Sequence, residues 1–213
     1  QTIAGNGNFI MYSLQKGEKD SHLKIKDKKA NLVFDHERSE QGNFTYDSKF
    51  AIFTIKAWKD SIVEMKRRKV KKDNMPNDTI GIYNLEKKSL LKIANVKSHK
   101  LPQKWSGFLA YSFDNTKKNT SKEAVKEKDS ILIDTTKKKS NKKIKKSSAK
   151  NGYPLVIRNL QTSKEDTIHF VTSYVFAKEG KTLSYVTTGD KKDIKAGVYV
   201  IDLIHNSSKH VFE

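Results

Sequence analysis

The chain has 213 residues, a formal net charge of +19 and no cysteine, which excludes disulfides, cysteine-ligated zinc and cysteine nucleophiles. No apolar run approaches the roughly 18 residues needed to span a bilayer. The hydrophobic fraction is only 35%, but ten Phe and eight Tyr are spread along the chain, so a packed core is expected once two lysine-rich stretches are set aside.

Taken in chain order, two short patterns alternate. Phe9-Ile10-Met11-Tyr12 follows the turn Asn6-Gly7-Asn8, and Leu23-Lys24-Ile25-Lys26-Asp27 comes next. The first pattern returns as Phe50-Ala51-Ile52-Phe53 after Asp47-Ser48-Lys49. The second returns as Ile80-Gly81-Ile82-Tyr83-Asn84, with a turn at 85–89 and a third strand at 90–93. The next pair is Phe108-Leu109-Ala110-Tyr111, after Trp105-Ser106-Gly107, and Leu155-Val156-Ile157-Arg158-Asn159, with a turn at 160–164 and a third strand at 167–170. The last is Thr182-Leu183-Ser184-Tyr185, after Glu179-Gly180-Lys181, and Val198-Tyr199-Val200-Ile201-Asp202. Gly, Asn, Asp and Ser supply the positive φ or the side-chain bonds of the turns. Apolar residues two apart, closed by Asp or Asn, mark a half-buried strand.

The intervals carry the argument. Ile25 to Phe53 is 28 residues, Ile82 to Tyr111 is 29 and Ile157 to Tyr185 is 28. Within a unit, Tyr12 to Ile25 is 13 residues and Tyr185 to Val200 is 15, whereas Phe53 to Ile82 is 29 and Tyr111 to Ile157 is 46. The surplus falls in one slot and coincides with the lysine-rich stretches 56–78 and 115–150. A basic repeat of about 41 to 43 residues with several strands is the signature of propeller blades. The expected fold is therefore all-β: about four antiparallel β-propeller blades over 1–213, with insertions at 56–78 and 115–150. The next first pattern, due about 28 residues after Val200 by the same register, is missing, so an incomplete ring is expected. The repeated aromatics, with Ile10, Ala51, Leu109 and Leu183 two residues earlier, should face a neighbouring blade. Residues 60–72 should form a turn or two of amphipathic helix ended by Met75-Pro76, and Ser130-Ile131-Leu132-Ile133-Asp134 a brief strand or anchor.

The two insertions carry +13 of the +19, and only Arg38, Arg67, Arg68 and Arg158 are arginine. Base and phosphate recognition leans on the bidentate guanidinium, so no specific nucleic-acid partner is expected. A weak polyanion-binding role for the lysine loops is the competing reading of the charge. The histidines His22, His36, His99, His169, His205 and His210 show no metal-ligand spacing, and Gly5-Asn6-Gly7 lacks the third glycine of a phosphate loop. Trp105 is expected to pack beside its turn and Trp58 to anchor its insertion. No metal, cofactor-binding or catalytic residue is assigned, and no cofactor is expected.

Three segments resemble the propeller of prolyl oligopeptidase-family serine peptidases, especially large exported bacterial dipeptidyl aminopeptidases or acylaminoacyl-peptidases. They run from Asn43-Phe44-Thr45-Tyr46-Asp47 to Phe53-Thr54-Ile55, from Asp73-Asn74-Met75-Pro76-Asn77-Asp78-Thr79 to Asn84-Leu85, and over Trp105 to Tyr111. The resemblance implies a non-catalytic propeller segment that gates and positions peptide substrates for a C-terminal α/β-hydrolase domain. It also implies a periplasmic or secreted location. No Gly-x-Ser-x-Gly nucleophile elbow is present, so the catalytic half is expected to lie outside this chain. Relatives of the dipeptidyl-peptidase kind clamp the substrate ammonium with two adjacent glutamates. The nearest acidic cluster here is Glu37-Arg38-Ser39-Glu40, without such a pair, so the substrate-binding residues are unknown. A stand-alone propeller-repeat binding or scaffold protein is the alternative, and exposed edges at the end blades would favour self-association.

Overall fold

The structure is a computed structural model, and it describes residues 1–114, 146–190 and 194–212. The short strand or anchor expected at Ser130 to Asp134 lies outside them, as does most of the 115–150 insertion.

Among the described residues fourteen antiparallel strands form two sheets, and within each sheet strands successive in sequence are neighbours. β1 (Thr2–Ile3), β2 (Phe9–Leu14), β3 (His22–Asp27) and β4 (Leu32–Glu37) form the first sheet. β5 (Ser39–Phe44), β6 (Phe50–Ile55), β7 (Asp78–Asn84) and β8 (Ser89–Lys100) open the second. It continues through β9 (Phe108–Phe113), β10 (Tyr153–Asn159), β11 (Glu165–Phe176), β12 (Thr182–Thr187), β13 (Gly197–Asp202) and β14 (Ser207–Phe212).

This second series is three blades joined in line. β8 pairs with β7 through Ser89–Ile93 and with β9 through Ser98–Lys100, and only Val96 touches both. β11 divides in the same way between β10 and β12. Each 12-residue strand is thus the outer strand of one blade and the inner strand of the next. The change of blade falls at Asn95 (φ 61°) and Phe170 (φ 58°), and the step from β4 to β5 is made at Arg38 (φ 60°). A left-handed residue turns the chain sharply enough to leave one sheet and enter another. The carbonyls of Arg38, Asn95 and Phe170 accept the N–H groups of Lys56, Asp114 and Thr188 at 2.7, 3.0 and 3.0 Å, so the three crossovers are one motif.

The register confirms the sequence alignment. Phe9 faces Asp27, Phe50 faces Asn84, Phe108 faces Asn159 and Thr182 faces Asp202. Tyr12, Phe53, Tyr111 and Tyr185 therefore occupy one position in four blades. The Asp or Asn that closes the third strand of each blade has a local task. Asn84, Asn159 and Asp202 each accept two backbone N–H groups of the following turn through Oδ1, and Asp27 does the same for Lys29 and Asn31. His205 and the backbone hold the Asp202 carboxyl below its usual range, and Asn31 does so for Asp27.

Three buried clusters lie between successive blades. Met11, Leu23 and Ile25 meet Ala51, Phe53 and Tyr83. Ile52, Ile80 and Ile82 meet Leu109, Tyr111 and Val156. Ala110, Leu155 and Ile157 meet Leu183, Tyr185 and Ile201. The second, third and fourth blades thus each pack the motif aromatic against the blade before, which buries faces that a lone sheet would expose. Gly81 is required here, because the Phe53 ring lies where a Cβ would stand. Trp105 does more than pack beside its turn: its Nε1 donates to the Ala177 carbonyl at 3.0 Å, tying the third blade to the fourth. Among the described residues no buried cluster joins the first blade to the fourth.

Candidate functional site

The crossovers fix where the insertions leave. Lys56, Asp114 and Thr188 immediately follow β6, β9 and β12, so all three long connections start at the end of the blades that carries Arg38, Asn95 and Phe170. Loops gathered at one end of a rigid β scaffold, around its inner strands, are the usual place for binding residues. This end is the candidate site.

In the second blade the neck of the first insertion is closed by charge. Lys56 Nζ lies 2.8 Å from Asp78 Oδ2 and 3.5 Å from Glu40 Oε1 on the inner strand. Burial opposes the lysine's charge, but these two carboxylates outweigh it and hold the ammonium above its usual range. Beyond the neck, α1 (Lys59–Arg67) is the short helix expected from the sequence, and none of its residues is buried. Lys59 N–H donates to Asp20 Oδ1 at 3.2 Å, which anchors its start to the first blade. Trp58 remains exposed and takes the Arg38 guanidinium over its ring at 4.3 Å, so it holds the crossover as well as the insertion.

The third blade contributes polar groups from its inner strand. Ser98 Oγ sits 2.8 Å from both Ser112 Oγ and Tyr174 Oη, and Lys100 Nζ donates to the Tyr174 carbonyl at 2.7 Å. Lys97 Nζ lies 3.9 Å over the Tyr153 ring. His99 is held below its ordinary value of 6.5 by burial, against the pull of Asp78. The inner strands thus carry lysines, hydroxyls and an internally paired carboxylate, groups with the chemistry to hydrogen-bond a polar ligand.

Acyl-transfer geometry is not assembled among the described residues. His36 Nδ1 is 2.8 Å from Ser39 Oγ, the closest approach to a base–nucleophile pair, but Ser39 is 0% exposed and its hydroxyl donates to the Glu37 carbonyl. His22 pairs with Asp35 and His205 with Asp202, and Ser21, which adjoins His22, donates its hydroxyl to the Ser39 carbonyl instead. No three His, Asp or Glu side chains among the described residues gather as metal ligands. In the cluster 37–40, Glu37 ends β4, Arg38 makes the crossover and Glu40 is ion-paired to Lys56. The crossover separates the two glutamates, and Glu40 already has a partner. The inner strands themselves escaped sequence reasoning, since 39–44 and 96–100 alternate too weakly to stand out.

No family model matches the chain, and no curated protein matches its sequence. Solved structures do. The β-propeller domain of the trilobed protease from Pyrococcus furiosus superposes with a TM-score of 0.51 at 12% identity, over 100% of this chain and 56% of that one. The fold is that of β-propeller blades. Pyrococcus horikoshii acylaminoacyl peptidase gives 0.48 at 12% identity over 97% of this chain and 30% of that one. The tricorn protease gives 0.43 at 11% identity over 98% and 21%. The chain spans just over half the length of the trilobed-protease propeller.

Proposed function

We propose that this chain is the non-catalytic propeller segment of a serine peptidase, which gates and positions peptide substrates for a C-terminal α/β-hydrolase domain carried elsewhere. The observation that supports this most is the gathering of every long connection at one end of the blades, around inner strands rich in polar groups. The structural neighbours named above are peptidases or a propeller domain of one, and the sequence contains no nucleophile elbow. Extended peptides have unpaired backbone amides and carbonyls, which inner-strand lysine and hydroxyl groups such as Lys97, Lys100 and Ser98 can meet. A periplasmic or secreted setting belongs to the same proposal. Among the described residues no helix is long and apolar enough to cross a membrane.

The test is to assay the purified chain for peptide binding and hydrolysis, and to read the gene past the Glu213 codon. The expected result is peptide binding without hydrolysis, with a Gly-x-Ser-x-Gly elbow encoded downstream. Hydrolysis by this chain alone, blocked by a serine-reactive phosphonate, would overturn the assignment of roles. A stop codon immediately after Glu213 would instead favour the stand-alone binding protein.

A further inference from the structure

The shared register shows one interblade groove that its own side chains leave unfilled. Between the first and second blades the groove is closed at the turn end by two rings. Phe34, opposite Ile25, lies 4.1 Å from Tyr83 between ring centroids, and the Tyr83 hydroxyl donates to the Val33 carbonyl at 3.4 Å. Between the second and third blades the same two positions are Leu91, opposite Ile82, and Arg158, which precedes Asn159 as Tyr83 precedes Asn84. Leu91 is smaller than Phe and 40% exposed. The Arg158 guanidinium turns to Glu165 of its own blade, a carboxylate that also accepts from Tyr111 Oη at 2.9 Å. A cavity of about 440 Å³ is left where the ring pair would stand, a size typical of ligand sites. Between the third and fourth blades Ile201 takes the Tyr83 position and is buried in that core.

The walls of this cavity differ in kind. Phe50, Ile82 and Leu160, all buried, and the half-open Leu91 make it apolar inside, while Lys49, Lys87 and Arg158 make its edge cationic. Glu86 is the one carboxylate among the lining residues, and Glu165 neutralises Arg158. Three cations against two carboxylates leave one positive charge over. Lys49 and Lys87 are exposed, so their long side chains can reach an incoming anion. We propose that the cavity binds an aromatic carboxylate: a flat apolar body in the space that Phe34 and Tyr83 fill one groove earlier, with one carboxylate held by the lysines. A wholly polar ligand would leave its groups unpaired against Phe50, Ile82 and Leu160. Two sources share the favoured chemistry: a small aromatic acid, and the last residue of a peptide that ends in Phe, Tyr or Trp. Both walls belong to the second and third blades, which have a further blade on either side, so the cavity does not depend on what covers the ends of the array. It lies at the turn end of the blades, away from the three long connections, and the inference stands independently of the peptidase reading.

The experiment is calorimetric titration of the 213-residue chain with naphthoate and with the uncharged naphthylmethanol. Naphthoate should bind, and the alcohol should bind at least about tenfold more weakly, as expected when a hydrogen-bonded charge is lost. Leu91→Phe, which supplies the ring found at Phe34, should abolish naphthoate binding without lowering the melting midpoint. Lys49→Gln combined with Lys87→Gln should weaken binding by about two- to fivefold, the reach of exposed ion pairs. In the unmodified chain the amide resonances of Leu91 and Gln161 should shift during the titration, a readout that needs no variant. N-acetyl-Ala-Ala-Phe, as free acid and as C-terminal amide, separates the two sources. Binding of the free acid but not the amide extends the site to peptide ends, and naphthoate binding without either assigns it to small acids. No binding of either acid, equal binding of naphthoate and the alcohol, or binding indifferent to Leu91→Phe would overturn the inference.

Discussion

Phe53→Ala is the sharpest test of the blade register. Phe53 is fully buried, lies over Gly81 and belongs to the cluster that joins the first blade to the second. Truncating a buried Phe to Ala costs about 4 kcal/mol, the lost transfer energy plus the cavity left behind. At roughly 3 °C per kcal/mol for a chain of this size, the melting midpoint should fall by about 12 °C. Tyr12→Ala alters the equivalent position of the first blade, where no preceding blade covers it, so its cost should stay within about 1 kcal/mol in dilute solution. Thermal melts followed by near-UV circular dichroism, at low concentration, measure both. In a nearest-neighbour array the loss at Phe53 should also appear first in the first blade. Amide exchange in β2 and β3 should therefore accelerate before that in β12 and β13. Equal losses at Phe53 and Tyr12 would refute the idea that the repeated aromatic is an interblade residue.

Gly81→Ala should cost about 1–3 kcal/mol, because the new methyl meets the Phe53 ring within a filled cluster; chemical denaturation would show it. Phe170→Asn should be neutral or stabilising by up to about 1 kcal/mol, since Asn tolerates the left-handed crossover better than a bulky ring; a clear loss by the same assay would argue against the crossover geometry. Burial lowers the affinity of His36 and His99 for a proton from the ordinary 6.5. The unfolded chain then binds protons more readily, so this contribution to stability is full above pH 6.5 and declines as pH falls below it. His99→Gln should flatten the slope of melting temperature against pH in that window, and an unchanged slope would count against the buried neutral imidazole.

The second and third strands of each blade were legible because one face of each is buried against a neighbour, so its residues carry a plain signal. Phe53, Tyr111 and Tyr185 could be aligned from the sequence for that reason. The innermost strands could not. Gln41 and Asn43 face solvent, Lys97 and Lys100 also point outward, and only isolated positions such as Val96 and Val171 are buried. The long strands β8 and β11 look like a strand and a loop in sequence, because the crossover at Asn95 or Phe170 breaks the alternation. The candidate site shares this fate: Lys56, Asp78 and Glu40 are 38 residues apart at most and belong to no motif, and only the antiparallel pairing of β5 and β7 on either side of β6 brings them together. The turns were readable to the residue, since positive φ falls on Gly7, Ser48 and Gly180 two residues before the strand, and on Gly107 one residue before it.

Cross-strand NOEs along β8 separate blades from a continuous flat sheet. Residues 89–93 should show contacts to β7 alone, and residues 98–100 to β9 alone, with the change at Asn95. If contacts to both neighbours run along the whole of β8, the strand lies inside a single sheet and the blade architecture is wrong.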